Sequence, residues 1–145
     1  MKLWTMAMIF AMVAGCAGSR PDRLGVVEGK LTPCPSSPNC VCSQSQDKPH
    51  AIDPIAFAGP PEAAWTRLLN VIQSMKRTKV IRIEESYLHV EFTSAVFRFV
   101  DDVEFYLDAD RKVIQVRSAS RLGYSDFGVN RKRVETIRTL FRQLP

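Results

Sequence analysis

The chain has 145 residues, of which 46% are apolar and 24% are charged, and these values are ordinary for a globular protein. The formal net charge is only +5, so the chain lacks the strongly basic character of a nucleic-acid-binding domain. The totals exclude a disordered chain. They predict a single domain with one hydrophobic core and no nucleic acid partner.

The first sixteen residues follow the pattern of a secretory leader. Lys2 precedes an apolar run, 3–13, that is too short to span a bilayer, and small residues follow this run. The pattern ends on Cys16, and its Val-Ala-Gly-Cys sequence resembles the lipobox of bacterial lipoproteins. The resemblance implies that the leader is cut before Cys16 and that this residue is acylated. An ordinary signal peptide with an incidental cysteine is the alternative.

We therefore predict a lipoprotein signal peptide over 1–15, a lipidated tether over 16–33 and a single α+β domain over 34–145. The expected partner of acylated Cys16 is membrane lipid, since two or more acyl chains give stable attachment. In Gram-negative lipoproteins, an Asp directly after the acylated cysteine tends to retain the protein in the inner membrane. This chain has Ala17 at that position. By this analogy we expect a cell-envelope protein anchored in the outer membrane and facing the periplasm.

Three further cysteines are clustered at positions 34, 40 and 42. Cys34 and Cys40 flank a turn-rich loop with two prolines that can bring its ends together, whereas Cys40 and Cys42 are too close in the chain to pair well. We predict a Cys34–Cys40 disulfide, which leaves Cys42 as a free thiol. A disulfide agrees with an oxidising compartment. The alternative is a thiolate site for a soft metal ion.

The rest of the chain predicts two helices around a β-meander. Pro61 opens a helix whose apolar stripe continues to Met75, and a second stripe covers about 130–144. Between them, four segments alternate apolar and polar residues with the period of a strand. We predict an α+β fold in two layers, a four-stranded antiparallel β-meander flanked by N- and C-terminal helices, with a disulfide-stapled N-terminal extension.

Tight turns would set the strand register by aligning the apolar faces. They predict three opposed pairs on the apolar face, which are Phe92 with Phe97, Val90 with Phe99, and Phe105 with Ile114. The other face of the sheet then carries charged residues and His89, and we expect this face to be solvated. Asp101 is the exception, because it falls on the apolar face and needs hydrogen-bond donors there.

The segment 117–133 is dense in arginine, glycine and polar residues. It predicts a loop and the start of the last helix, with Asn130 as a plausible N-cap. Cations in the first helical turn are unfavourable beside the positive end of the helix dipole, so an acid should offset them. Internal pairing with Asp126, Asp101 or Asp102 is one solution, and an external anion is the other. The candidate anion- or partner-binding residues are Arg117, Arg121, Asp126, Asn130, Arg131 and Arg133.

Three stretches, 31–41, 99–105 and 117–133, resemble the bacterial domain of unknown function 1499, and the resemblance covers about 31–145. Members of that family often carry a lipoprotein-type leader, which agrees with Cys16. Many members have Ser where this chain has Cys42, and this weakens a three-cysteine metal site. The family has no established activity, so the resemblance implies a domain and leaves its function open.

The leading functional hypothesis is a non-catalytic, membrane-anchored envelope domain that binds an envelope protein or an anionic ligand through residues 117–133. One alternative is an enzyme that uses Asp101 or Asp102 with Arg117, although the sequence shows no nucleophile–base pair and no phosphate-binding loop. A cup for an apolar ligand such as a lipid is the third hypothesis. We expect no cofactor, no metal and no assigned catalytic residue.

Overall fold

The computed structural model describes residues 17–144. The predicted signal peptide and Cys16 lie outside the described residues. Two helices are present, α1 (Pro61–Ser74) and α2 (Val129–Gln143). The strands are β1 (Val26–Val27), β2 (Lys30–Leu31), β3 (Cys40–Cys42), β4 (Ile55–Ala56), β5 (Thr78–Ile83), β6 (Tyr87–Thr93), β7 (Val100–Asp108) and β8 (Val113–Ser120).

The α+β class with antiparallel sheets is confirmed, but the predicted count of four strands is wrong. The main sheet has six strands in the order β3-β8-β7-β6-β5, with β4 also paired to β8. The additional strands, β3 and β4, have only three and two residues. Segments this short carry no period-two pattern, so only their pairing with β8 makes them strands. Strands β1 and β2 form a separate two-stranded sheet.

Helices α1 and α2 cover one face of the sheet and form the core with it. Leu68 of α1 and Phe141 of α2 are buried there with Phe105 of β7. These residues follow the 3.6-residue period in the helices and the two-residue period in the strands, which is why the sequence pattern found them. The space between helices and sheet is therefore occupied by the side chains of the chain itself.

The predicted strand register is wrong because the turns are longer than assumed. Val90 lies opposite Val103 and Phe105 lies opposite Val116. Residues 94–99 form a loop closed by a hydrogen bond from the Ser94 amide to the Phe99 carbonyl, 2.8 Å. Phe97 and Phe99 consequently leave the sheet and are exposed on this loop.

The second face of the sheet is buried, against our prediction that it is solvated. Glu104, Asp102 and His89 on this face are 0%, 1% and 3% exposed. The segment before β3 covers them, since the Gly25 amide donates to Glu104 and Leu31 packs against Tyr87. The predicted tether over 16–33 is thus in contact with the sheet along part of its length, which shortens the portion that can act as a free linker.

The predicted Cys34–Cys40 disulfide is present, with the two Cα atoms 5.7 Å apart, and Cys42 is a buried free thiol. The bridge fixes the segment that returns from the covering region to β3.

We expect the double variant Cys34→Ala/Cys40→Ala to lose about 2 kcal/mol of unfolding free energy, because the open loop gains conformational entropy in the unfolded chain. Urea denaturation checks this, and a reducing agent should weaken the native protein while leaving the double variant unchanged.

Candidate functional site

Asp102 lies at the centre of a charge cluster on the covered face of the sheet. Its carboxylate accepts hydrogen bonds from His89 Nε2 and from Arg121 Nε and Nη2, each at 2.7 Å. Arg121 Nη2 also donates to Glu91, which in turn accepts from Arg20 of the covering segment. Strand alternation places His89, Glu91 and Asp102 on one face, and β8 brings Arg121 beside them. The five side chains form a continuous chain of hydrogen bonds from buried His89 to exposed Arg20.

The arginine holds the Asp102 carboxylate in its ionised form. Burial alone would raise the pKa of Asp102, but the hydrogen bonds and charges of Arg121 and His89 lower it to about 2. The same hydrogen bond to Asp102 raises the pKa of Arg121. The pair therefore stays charged at every physiological pH, which is the behaviour of a structural ion pair and not of a proton donor.

Glu104 lies on β7 two residues after Asp102 and is at the centre of a second polar cluster. Its carboxylate accepts from the Gly25 amide at 2.7 Å, the Tyr87 hydroxyl at 2.8 Å and Arg117 Nη1 at 3.2 Å. Burial and the adjacent Glu104 raise the pKa of Tyr87, so its hydroxyl remains a donor. Arg117 Nε is buried and has no hydrogen-bond partner among residues 17–144. This cluster joins the covering segment to the centre of the sheet.

A third polar cluster surrounds the start of α2. Asp126 accepts from the amides of Gly128 and Asn130 at 3.0 and 2.8 Å, so an acid offsets the positive helix end, as predicted. Asn130 is not the N-cap, because the helix begins at Val129 after Gly128. Its buried side chain instead accepts from Ser118 Oγ at 2.6 Å and donates to the Asn39 carbonyl at 3.1 Å.

The two remaining candidate arginines also have partners within the fold. Arg133 donates to Asp101 and to Ser118 Oγ, and this ion pair supplies the donors that Asp101 requires on the apolar face. Arg131 donates to the backbone carbonyls of Ala51 and Pro49 at 2.8 and 3.1 Å. Internal pairing, the alternative to an external anion, therefore accounts for the observed contacts of these arginines. Their role in ligand binding stays a prediction.

Several exposed apolar side chains lie together on two neighbouring loops at one end of the sheet, 94–99 and 121–128. The Arg121 amide donates to the Val100 carbonyl and links the loops, and the rings of Phe97 and Phe99 stack at 5.7 Å. Phe127 is 96% exposed, and we call these two loops the aromatic end. Its other exposed apolar residues are Val96, Leu122 and Tyr124.

Half of the aromatic end could not be predicted from the alternation of residues. Phe97 and Phe99 were predicted to lie on the buried face of a strand, because their alternation continues that of β7. The available signal was Ser94, whose hydroxyl accepts from the Phe99 amide at 2.9 Å and closes the loop. Tyr124 and Phe127 belong to the segment 117–133, in which the arginines and not the aromatic residues were predicted to bind a partner.

The described chain starts beside the aromatic end. Gly18 has φ +64°, and a Cβ atom placed on it would lie 3.0 Å from Arg121 Cβ and 3.1 Å from Leu122 Cγ. A side chain at this position would therefore crowd the 121–128 loop, and glycine permits the close approach. The predicted acylation site, Cys16, is only two residues before Gly18.

Comparison with known families gives one match. The model of a family described as "Protein of unknown function (DUF1499)" matches residues 30–141. This range contains both helices up to Phe141, the whole main sheet and both loops of the aromatic end. The chain belongs to the DUF1499 family. No curated protein and no solved structure matches it.

The geometry of this DUF1499 domain limits the chemistry of its acidic residues. Asp101 and Asp102 are adjacent on β7 and point to opposite faces, where each is paired with a different arginine. They do not form a carboxylate dyad. Arg117 pairs with Glu104 and not with either aspartate.

The remaining thiol of the DUF1499 domain, Cys42, is buried. Burial raises the pKa of Cys42, and a neutral thiol is a weak nucleophile. With Cys34 and Cys40 joined, the three-thiolate metal site is not formed. Residues 17–144 contain no group of three His, Cys, Asp or Glu side chains arranged to hold a metal ion.

Proposed function

We propose that this DUF1499 protein is a lipid-anchored lipoprotein of the cell envelope, with a domain that acts as a non-catalytic binding module. We place the anchor at Cys16 and the domain on the periplasmic side of the outer membrane. The observation that supports the proposal is the position of Gly18, two residues after the predicted acylation site, against the 121–128 loop of the aromatic end. The proposed anchor and this exposed apolar surface would thus lie at the same end of the domain.

The anchor is supported by the sequence before the described residues. A short apolar run followed by Val-Ala-Gly-Cys fits a leader that is cut before an acylated cysteine. The Cys34–Cys40 disulfide agrees with a compartment outside the cytoplasm, where such bonds form and persist. Neither helix of the described region is long and apolar enough to cross a bilayer.

A binding role is favoured over catalysis by the state of the charged side chains. Asp102 keeps its charge down to a pKa of about 2, and Asp101 is paired with Arg133. Asp102 is therefore not set up to exchange protons near neutral pH, which a general acid or base must do. The 121–128 loop, by contrast, exposes Leu122, Tyr124 and Phe127, and exposed apolar patches of this kind mark interaction surfaces.

The anchoring step is tested by replacing the acylated residue. We expect the wild-type chain to fractionate with membranes and to yield a mature protein that begins at Cys16 and carries the mass of its acyl chains. Cys16→Ser removes the thiol that accepts lipid, so this variant should keep an unprocessed leader and carry no acyl mass. Metabolic labelling with palmitate and mass spectrometry measure both properties.

The matched control is Cys42→Ser, which changes a cysteine that is buried in the domain. It should be cleaved and acylated like the wild type. A wild-type protein whose Cys16 is unmodified, or which is released by lysis without detergent, contradicts the proposed function.

A further inference from the structure

We propose that the aromatic end is a membrane-contacting surface, which inserts its side chains into the interfacial layer of the bilayer that holds the Cys16 lipid. The inference deepens the proposed function and rests on acylation of Cys16. It assigns the occupant of the surface as a lipid surface with anionic headgroups. It also fixes the orientation of the domain, with the 94–99 and 121–128 loops towards the membrane.

The apolar side chains of these loops project away from the rest of the domain. Phe127 has a left-handed φ of +53° and is 96% exposed, so the fold accepts an uncommon backbone geometry for a ring that it does not bury. The loop is held in place on both sides, since the amides of Phe127 and Gly128 donate to Ser125 Oγ and Asp126 Oδ1. Exposed aromatic rings on ordered loops suit the membrane–water interface, where Trp, Tyr and Phe are favourable.

The distance to the anchor argues for the bilayer over a protein partner. Gly18 lies beside Arg121 and Leu122, since a Cβ atom placed on it would be 3.0 and 3.1 Å from their side chains, and an extended chain covers at most about 3.6 Å per residue. The acylated Cys16 must therefore lie within about 7 Å of Gly18. A bilayer that receives the acyl chains therefore lies within reach of the aromatic end.

The charge around the aromatic end complements anionic headgroups. Arg98 is exposed within the 94–99 loop, and exposed Lys76 and Arg77 follow α1 at the same end of the sheet. A hydrogen bond from the Thr93 amide at the end of β6 to the Arg77 carbonyl, 2.9 Å, holds the turn after α1 at this end of the sheet. The only acid in residues 75–77, 94–99 and 121–128 is Asp126, and its carboxylate is bound to backbone amides. Basic residues near anionic lipid favour binding.

The test uses the full chain, acylated in cells and purified in detergent, with a tryptophan reporter at the surface. The mature native protein has one tryptophan, Trp65, which is buried in the core. Phe127→Trp adds a reporter at the aromatic end. The matched control, Val27→Trp, adds one at an exposed position (75%) of the β1–β2 hairpin, on the opposite end of the covered face. Each protein is reconstituted into phosphatidylethanolamine vesicles that contain phosphatidylglycerol with brominated acyl chains.

We expect the Phe127→Trp emission to shift to shorter wavelength and to be quenched by the brominated lipid, beyond the signal of the Trp65 parent. Replacing the phosphatidylglycerol by phosphatidylcholine with the same brominated chains should reduce both effects, while Val27→Trp should keep the emission of a water-exposed ring. Equal emission from the two reporters in acylated protein overturns the inference alone and leaves the surface to a protein partner. A purified chain whose mass shows an unmodified Cys16 overturns the proposed function, and the inference with it.

Discussion

Asp102→Asn is expected to lower the free energy of unfolding by about 3 kcal/mol at neutral pH, since it leaves the buried Arg121 without its main counter-charge. Arg121 and Asp102 are joined by two hydrogen bonds of 2.7 Å, and Asp102 is 1% exposed. Glu84→Gln is the matched control, because it makes the same carboxylate-to-amide change in the exposed pair of Arg82 and Glu84. We expect this control to cost less than about 1 kcal/mol. Urea denaturation of both variants at pH 7 measures the difference.

The same variant should change the acid sensitivity of the protein. The pKa of Asp102 is about 2 in the folded state, below its value of about 3.9 in an unfolded chain. A lowered pKa contributes stability that is fully present above the unfolded value and is lost as pH falls towards the folded value. Asp102 should therefore contribute about 3 kcal/mol at pH 7, and this contribution should disappear between about pH 5 and pH 2.

The wild type and Asp102→Asn should consequently differ most at neutral pH and converge near pH 2, where the protonated aspartic acid resembles asparagine. Denaturation curves at several pH values check this convergence. A difference that is constant from pH 7 to pH 2 would mean that the asparagine acts through packing and not through the lost charge.

Glu104→Gln is the second substitution with a large expected effect. Glu104 is 0% exposed and accepts from Gly25, Tyr87 and Arg117, so an amide in its place removes the counter-charge of Arg117 and turns one acceptor into a donor. We expect a loss of about 3–5 kcal/mol in unfolding free energy. Tyr87→Phe is the control, since it removes a single hydrogen bond and should cost about 1 kcal/mol.

The Glu104 variant also has a local effect that a general loss of stability does not produce. The Gly25 amide loses its charged acceptor, so the segment that covers the sheet should detach before the sheet unfolds. Hydrogen exchange should become faster at Gly25 and Leu31 in Glu104→Gln under conditions where the amides of β7 stay protected. Uniform acceleration over the whole domain would show that the covering segment is not held by Glu104 in particular.

The helices and the apolar face of the sheet were predictable because their signals are local. The stripe that begins at Pro61 and the one that ends near Leu144 were assigned within a residue or two of α1 and α2. Period-two alternation identified the meander strands in the same way. The disulfide followed from the loop between Cys34 and Cys40, and it too depends only on neighbouring residues.

The candidate site was less predictable because its contacts join distant parts of the chain. Arg121 and Asp102 were both noted in the sequence, but their pairing required a register that the assumed tight turns did not give. Gly25 and Glu104 are 79 residues apart, and no sequence pattern in either segment predicts their hydrogen bond. Phe97 was placed in a strand by an alternation that continues past the point where pairing stops.

The α+β class, the two amphipathic helices, the disulfide and the DUF1499 resemblance follow from the amino-acid sequence alone, since periodicity, turn residues and motifs act over short separations. Three features depend on the three-dimensional contacts: the charged face of the sheet is buried, each candidate arginine has an internal partner, and Phe97 and Phe127 share one exposed end beside Gly18. Burial depends on which segment packs over a face, and that choice is made by contacts between residues far apart in the chain.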